Sequence, residues 1–154
     1  MPVRVQIATE KWNPISAAIR FSTRSWASHA EFVDTDHQIT VGARSIGGVK
    51  VRPCAKDRYS RVEQFTAEGI LQAYEWARTQ IGKPYDFSAI AGIAIDRNWR
   101  DETKWFCSEL VVASFEHAGF PLLSTRPSSA VWRYTPRDLL LSRNLTFLNQ
   151  KGDL

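Results

Sequence analysis

The chain is poor in sulfur and in metal-binding spacings. Its two cysteines, Cys54 and Cys107, stand far apart in 154 residues, with no CxxC pair and no histidine at zinc-ligand spacing, so neither a disulfide framework nor a metal site is indicated. A single bridge between the two stays open. Long apolar runs are also missing, and nothing approaches the ~18 consecutive apolar residues of a membrane span. The opening MPVRVQIATEKWN has no apolar stretch of signal-peptide length. The expectation is a soluble protein made in the cytoplasm, although release by a lysis system or packaging in a virion, as for a phage-encoded protein, would leave no such mark. Clustered positive charge is absent too. Twenty Lys and Arg against 16 Asp and Glu give a net charge of +4, with no Lys/Arg run longer than two. That balance allows mild attraction to an anionic polymer but excludes a basic stripe interleaved with aromatics, so no specific nucleic-acid site is expected. Neither repeats nor linker-like composition appear, and one domain is expected over residues 1–154.

What is present is core-forming material, 44% hydrophobic residues with six Trp and eight Phe. Alternation predicts strands at Val3–Ala8, Trp26–Val33, Gln38–Arg44 and Val49–Arg52, with a further strand over Arg58–Phe65. Asp34-Thr35-Asp36 predicts the turn of a hairpin. A 3.6-residue period predicts helices from Pro14, capped by Asn13, to about Phe21, and over Ala67–Ile81, capped by Thr66. SAIAGIAI, after the Gly82–Phe87 turn, fits a short buried helix or a strand. Arg97–Lys104 reads as a charged loop, and the Ser-, Pro- and Thr-rich stretch after Gly119 as a long surface loop or lid. Thr135-Pro136-Arg137-Asp138 reads as a helix start, with a last strand at Leu145–Leu148.

The chemistry gathers at Lys104–Gly119. Leu110, Val111, Phe115 and Ala118 lay an apolar stripe behind Cys107, and Gly119 closes the run, so Cys107 starts a helix. Unpaired amides and the helix dipole favour a thiolate there, the form that attacks carbonyl carbon, although a lone cysteine in a core helix is commonly packing. His117 lies ten residues down the same helix, ~15 Å along its axis. His37 falls in a turn. His29 is the histidine placed to meet the thiol, and strand alternation puts Glu31 on its face roughly 7 Å away, the spacing of a carboxylate that orients a general base. A half-exposed strand with polar residues facing water accounts for the same pattern without chemistry.

Gly82-Lys83-Pro84-Tyr85, then Phe106-Cys107-Ser108-Glu109-Leu110-Val111, with Ser28-His29-Ala30 ahead of both and Thr135-Pro136-Arg137-Asp138-Leu139 behind, resembles the NlpC-type papain-like cysteine hydrolases. The order His before Cys resembles their circularly permuted branch, which includes YiiX-like proteins and lecithin retinol acyltransferase relatives. The resemblance implies an α+β permuted papain-like fold, an antiparallel sheet packed against a helix that starts at the catalytic cysteine. It implies Cys107 as nucleophile, His29 as general base, Tyr85 as a hydroxyl near the oxyanion, and no cofactor. The reaction would be hydrolysis through a thioester, of a peptide amide (cell wall included) first and of a lipid acyl group second. In that family the residue orienting the histidine lies on the following strand. Folding the predicted hairpin back sets Gly42 opposite His29 and Thr40 opposite Glu31, so no acid or amide stands there. Either Glu31 serves from the histidine's own strand, or water does, or the chain is a non-catalytic binding module, phage- or toxin-associated, on the same fold.

Overall fold

Val3, Val5 and Ile7 are fully or nearly fully buried, and the strand they open, β1 (Val3–Glu10), runs two residues beyond the predicted end. In this computed structural model, which describes residues 2–95, 103–123 and 134–148, β1 lies inside a sheet, between β2 (His29–Asp34) and β5 (Tyr59–Thr66). With β3 (Ile39–Arg44), β4 (Gly48–Pro53) and the two-residue β6 (Thr146–Phe147), it makes a six-stranded antiparallel sheet of order β4-β3-β2-β1-β5-β6.

Helices form where the capping residues indicate. Asn13 accepts from the Ile15 amide at 3.0 Å to start α1 (Pro14–Thr23), with Pro14 in its first turn. SAIAGIAI is helical, α3 (Ser88–Ile95). The cysteine helix, α4 (Cys107–His117), begins at the predicted residue. It ends with Gly119 at φ 82°, the Gly119 amide bonding the Glu116 carbonyl and the Phe120 amide the Phe115 carbonyl. A reciprocal Thr135–Asp138 capping box starts α5 (Pro136–Leu140).

Three expectations need correction. The second strand starts at His29 rather than Trp26. The helix predicted over 67–81 is α2 (Ile70–Thr79), and Thr66 ends β5 instead of capping it. Gly69 precedes α2 at φ 74°, and a Cβ there would come within 2.1 Å of the Phe120 ring, so the chain turns sharply before the helix begins. The third concerns the hairpin, whose register differs by two residues. Asp34 pairs with Ile39 and Val33 with Thr40, leaving a four-residue loop. The physical cause is Asp34, whose Oδ1 accepts from the amides of Asp36 and His37, both at 3.1 Å, while Gln38 takes φ 53°.

One sheet face packs on α2 and α4, around Val5, Ile7, Phe32, Val41, Tyr74 and Phe115. The Phe32 ring centre lies 6.0 Å from those of Tyr74 and Phe115, and each such buried side chain contributes about 1.5–3 kcal/mol. A second cluster joins Ile19 of α1, Ala43 and Val49 of the sheet, Tyr85, Trp105 and Phe106 to Cys107, Leu110 and Ala113 of α4. Cys107 through Phe115 are all buried, so α4 runs between the two clusters with little solvent on any side. The two cysteines are free thiols. No described helix is long and apolar enough to cross a membrane. Residues 124–133 of the long loop or lid expected over 121–136, and most of the charged loop at 97–104, lie outside the described residues.

Candidate active site

Main-chain bonds set the start of α4. Tyr85 and Trp105 form a parallel bridge, the Trp105 amide donating to the Pro84 carbonyl and the Asp86 amide to the Trp105 carbonyl, each at 3.0 Å. The Gly82–Tyr85 turn is thereby fastened two residues before Cys107. The Trp105 indole donates to Gln80 Oε1 at 3.2 Å, and the Ser108 hydroxyl donates to the Tyr134 carbonyl. Cys107 Sγ lies 4.0 Å from the Ser28 carbonyl, immediately before His29, close enough for the thiol and the imidazole to act on each other electrostatically. Ser28 is held in turn, its hydroxyl accepting from the Ser16 hydroxyl at 2.6 Å and from the Glu10 amide at 3.2 Å.

Behind the imidazole stands Glu31, fully buried. His29 Nε2 lies 3.2 Å from Glu31 Oε2. The contact is ionic, for the N–H does not line up with the oxygen as a hydrogen bond requires. With Nε2 at the carboxylate, Nδ1 is the nitrogen left for the thiol. Three further side chains fix the carboxylate. Arg44 Nη2 lies 3.0 and 3.1 Å from its two oxygens, the Tyr59 hydroxyl donates to Oε1 at 2.5 Å, and Gln6 Nε2 donates to Oε1 at 3.3 Å. Tyr59 also stacks beside the imidazole, ring centres 6.2 Å apart and nearly parallel.

The electrostatics follow from this burial. Burial alone would strip His29 of its proton, but the Glu31 charge outweighs it and the imidazole is pushed up to about 10. Burial likewise opposes the Glu31 charge, and the His29 and Arg44 cations reverse that, holding the carboxyl down at about 2. Burial and then the Glu31 charge push the Tyr59 phenol up, so it remains a donor. Burial and then the Cys107 charge do the same for Tyr85.

Stability should therefore depend on pH with a definite sign. The His29 contribution is complete below its ordinary 6.5 and fades as pH rises toward 10, whereas the Glu31 contribution is complete above its ordinary 4.5 and fades as pH falls toward 2. The pair stabilises most between pH 4.5 and 6.5. Urea midpoints should fall between pH 6 and 9, and His29→Phe should flatten that fall. An unchanged slope in the variant would contradict the pairing.

All four predicted site residues come to one end of the sheet. Cys107, His29 and Glu31 are in succession, and Tyr85 shares the cluster around Cys107. The other histidines are elsewhere engaged, His37 Nδ1 with Asp34 Oδ2 at 2.8 Å and His117 stacked on Trp76. Four contributors escape the sequence reading: Gln6, Arg44 and Tyr59 around Glu31, and Glu10. Each sits on a different strand from Glu31, so only the sheet register reveals it. Burial opposes ionisation of Glu10, yet His29, Asn13 and Arg58 together hold it below the usual carboxylate range.

Two hollows meet beside the site at Ser45 and Tyr85, and Cys107 itself lines neither. One is narrow, lined by Glu10, Ser16, Ser28, His29, Arg44 and Tyr85. The other, broad and open, runs along Gly47, Lys83, Tyr85, Phe87 and Lys104, and both include Ser45. A separate hollow on the outer sheet face, between Val33, Cys54 and Val62, touches the Glu31 network at Gln6, Thr40 and Tyr59 but is lined by neither Cys107 nor His29.

No protein-family model matches the chain, and no curated protein does. Among solved structures it is similar to the metalloprotein yiiX of Escherichia coli O157:H7, a DUF1105 protein. The TM-score is 0.72 over 97% of this chain and 96% of that one, at 16% identity. The fold is YiiX-like. At that identity the likeness concerns the backbone alone, and the YiiX-like frame is the α+β sheet and helices that bring β2 against the start of α4.

Proposed function

We propose that the chain is a cysteine hydrolase of the permuted papain-like type, working through a thioester at Cys107. The observation that carries this reading is the buried succession Cys107, His29, Glu31 at a helix start. Cys107 Sγ attacks the carbonyl carbon as the thiolate, its proton already held by His29. The developing oxyanion is met by the Cys107 amide, unpaired at the first turn of α4, and by the Tyr85 hydroxyl. His29 gives its proton to the departing nitrogen or oxygen as the bond to carbon breaks, leaving a thioester. Water then loses a proton to His29 and adds to the thioester carbon. The C–S bond breaks, the acid is released, and the thiolate–imidazolium pair is restored. Glu31 keeps the imidazole oriented throughout. The binding-module alternative drew its force from the lack of an orienting residue, and Glu31 removes that motive. An amide in a peptide is the first substrate choice and a lipid acyl ester or amide the second, which exposed Trp12, Ile46 and Phe87 beside the opening favour.

The yiiX neighbour is named a metalloprotein, and a metal does not suit this site. Glu31, the carboxylate nearest the thiol–imidazole pair, already faces the Arg44 guanidinium, and no group of three His, Cys, Asp or Glu among the described residues could hold an ion.

In a Cys54→Ser background, iodoacetamide should label Cys107 at neutral pH about tenfold or more faster than it labels a free thiol. His29→Ala should bring the rate down to that of the free thiol or below. Labelling no faster than a free thiol, and indifferent to His29→Ala, would refute the nucleophile.

A further inference from the structure

We propose that the rim of the candidate active site, carried by Trp12, Ile46 and Phe87 on three separate turns, docks the protein on an anionic membrane surface. The acyl bond to be cut would then be presented at headgroup level. The substrate side of this inference rests on the hydrolase reading; the docking itself does not.

The three side chains are among the most exposed apolar groups described, Trp12 at 99%, Ile46 at 84% and Phe87 at 55%. Phe87 lines the opening, and the other two stand next in sequence to residues that do. Trp12 precedes Asn13, which lines the narrow hollow beside His29, and Ile46 lies between Ser45 and Gly47, which line the broad one together with Phe87. Ser45 and Tyr85 belong to both hollows, so the three turns ring one mouth. Trp12 and Ile46 are left in solvent, and Phe87 keeps one edge on the Tyr85 ring, 5.0 Å between centres, with more than half of its surface exposed. Trp12 holds φ 55°, a conformation L-residues rarely take, between an Asn13 that caps α1 and a Lys11 whose amide bonds Arg58. An indole displayed at that conformational cost, and contacting nothing, is what an interfacial anchor requires, since Trp settles at the boundary of headgroup and acyl chain.

Charge selects the occupant. Lys11, Lys50 and Lys104 are exposed beside these side chains, and the Lys50 ammonium reaches to 3.0 Å of where a Cβ on Gly47 would stand. The carboxylates lining the two hollows, Glu10 and Asp86, are buried. Anionic headgroups complement such a rim, whereas a second copy of the same rim would bring lysines against lysines. No described helix could span the bilayer, so attachment would be peripheral.

The full chain should co-sediment with vesicles of mixed phosphatidylglycerol and phosphatidylcholine and much less with phosphatidylcholine alone. The triple variant Trp12→Asp, Ile46→Asp, Phe87→Asp should lose about tenfold or more in vesicle affinity. Leu141→Asp, at another side chain 68% exposed, should bind as wild type, and so should Cys107→Ala, which separates docking from catalysis. Circular dichroism should find the triple variant folded, because Trp12 and Ile46 face solvent and Phe87 gives up only its edge contact with Tyr85; the double variant Trp12→Asp, Ile46→Asp, which leaves that contact in place, should lose most of the same affinity. Equal sedimentation of triple variant and wild type would overturn the proposal, as would absence of binding to anionic vesicles. A solution dimer that the triple variant dissociates, without vesicle binding, would overturn it in favour of self-association.

Discussion

Glu31→Gln should lower stability by about 3–5 kcal/mol and bring iodoacetamide labelling of Cys107 down toward the free-thiol rate. The substitution keeps shape and removes charge. What remains is the Arg44 guanidinium, inside the protein with its carboxylate gone, and an imidazole that no longer has an anion 3.2 Å behind it. Removing one partner of a buried pair leaves the other charge desolvated, and that penalty exceeds what the pair itself contributes. His29 should then titrate below its ordinary 6.5, because burial is the largest influence left on it. Urea unfolding at pH 6 gives the stability, and proton NMR of the imidazole gives the titration. A variant as stable as wild type, with an imidazole still charged at neutral pH, would show that Glu31 is not what holds His29.

Gly42→Ala should destabilise by about 1–3 kcal/mol although a strand ordinarily favours alanine over glycine. In the observed register Gly42 lies beside Glu31, and a Cβ on it would come within 2.6 Å of Glu31 Cβ and 3.4 Å of Oε2. Glu31 Cβ is fixed to the backbone of β2 and cannot swing aside, so either the strands part or the carboxylate leaves Arg44 and Tyr59. Thiol labelling should slow along with the loss of stability. The double variant Gly42→Ala, Glu31→Gly, which removes that Cβ, should recover part of the packing loss but none of the labelling rate. A neutral Gly42→Ala would mean that the strands accommodate the methyl.

Periodicity and capping chemistry made the elements legible. Asn13-Pro14, the Thr135–Asp138 box and Gly119 mark helix ends by local hydrogen bonding, which depends on neighbours in sequence and on little else. The His29–Glu31 relation was legible for the same reason, since strand alternation is local. The carboxylate's other partners were not. Arg44 reaches Glu31 only in the hairpin register that the Asp34 side chain sets by moving the four-residue loop one position on, and Tyr59 only across β1, which pairs with both β2 and β5. With the register displaced by two, Gly42 seemed to leave an empty place behind His29, when it is the space Glu31 fills. Glu10 was missed because β1 outlasts its apolar alternation, and Gln6 because its role lies across the sheet.

The Gly82–Tyr85 turn does more than carry a phenol. The Val49 amide donates to the Lys83 carbonyl at 2.9 Å and the Gly82 amide to the Val49 carbonyl at 3.0 Å, while Gly48 lies so close that a Cβ would come within 2.4 Å of the Lys83 oxygen. β4 is the outermost strand on that side of the sheet, and these bonds occupy main-chain groups that would otherwise invite a strand from another molecule. Protection against edge-to-edge aggregation and the placing of Tyr85 thus depend on the same few peptide groups. A change that loosens this turn should cost solubility during expression as well as activity.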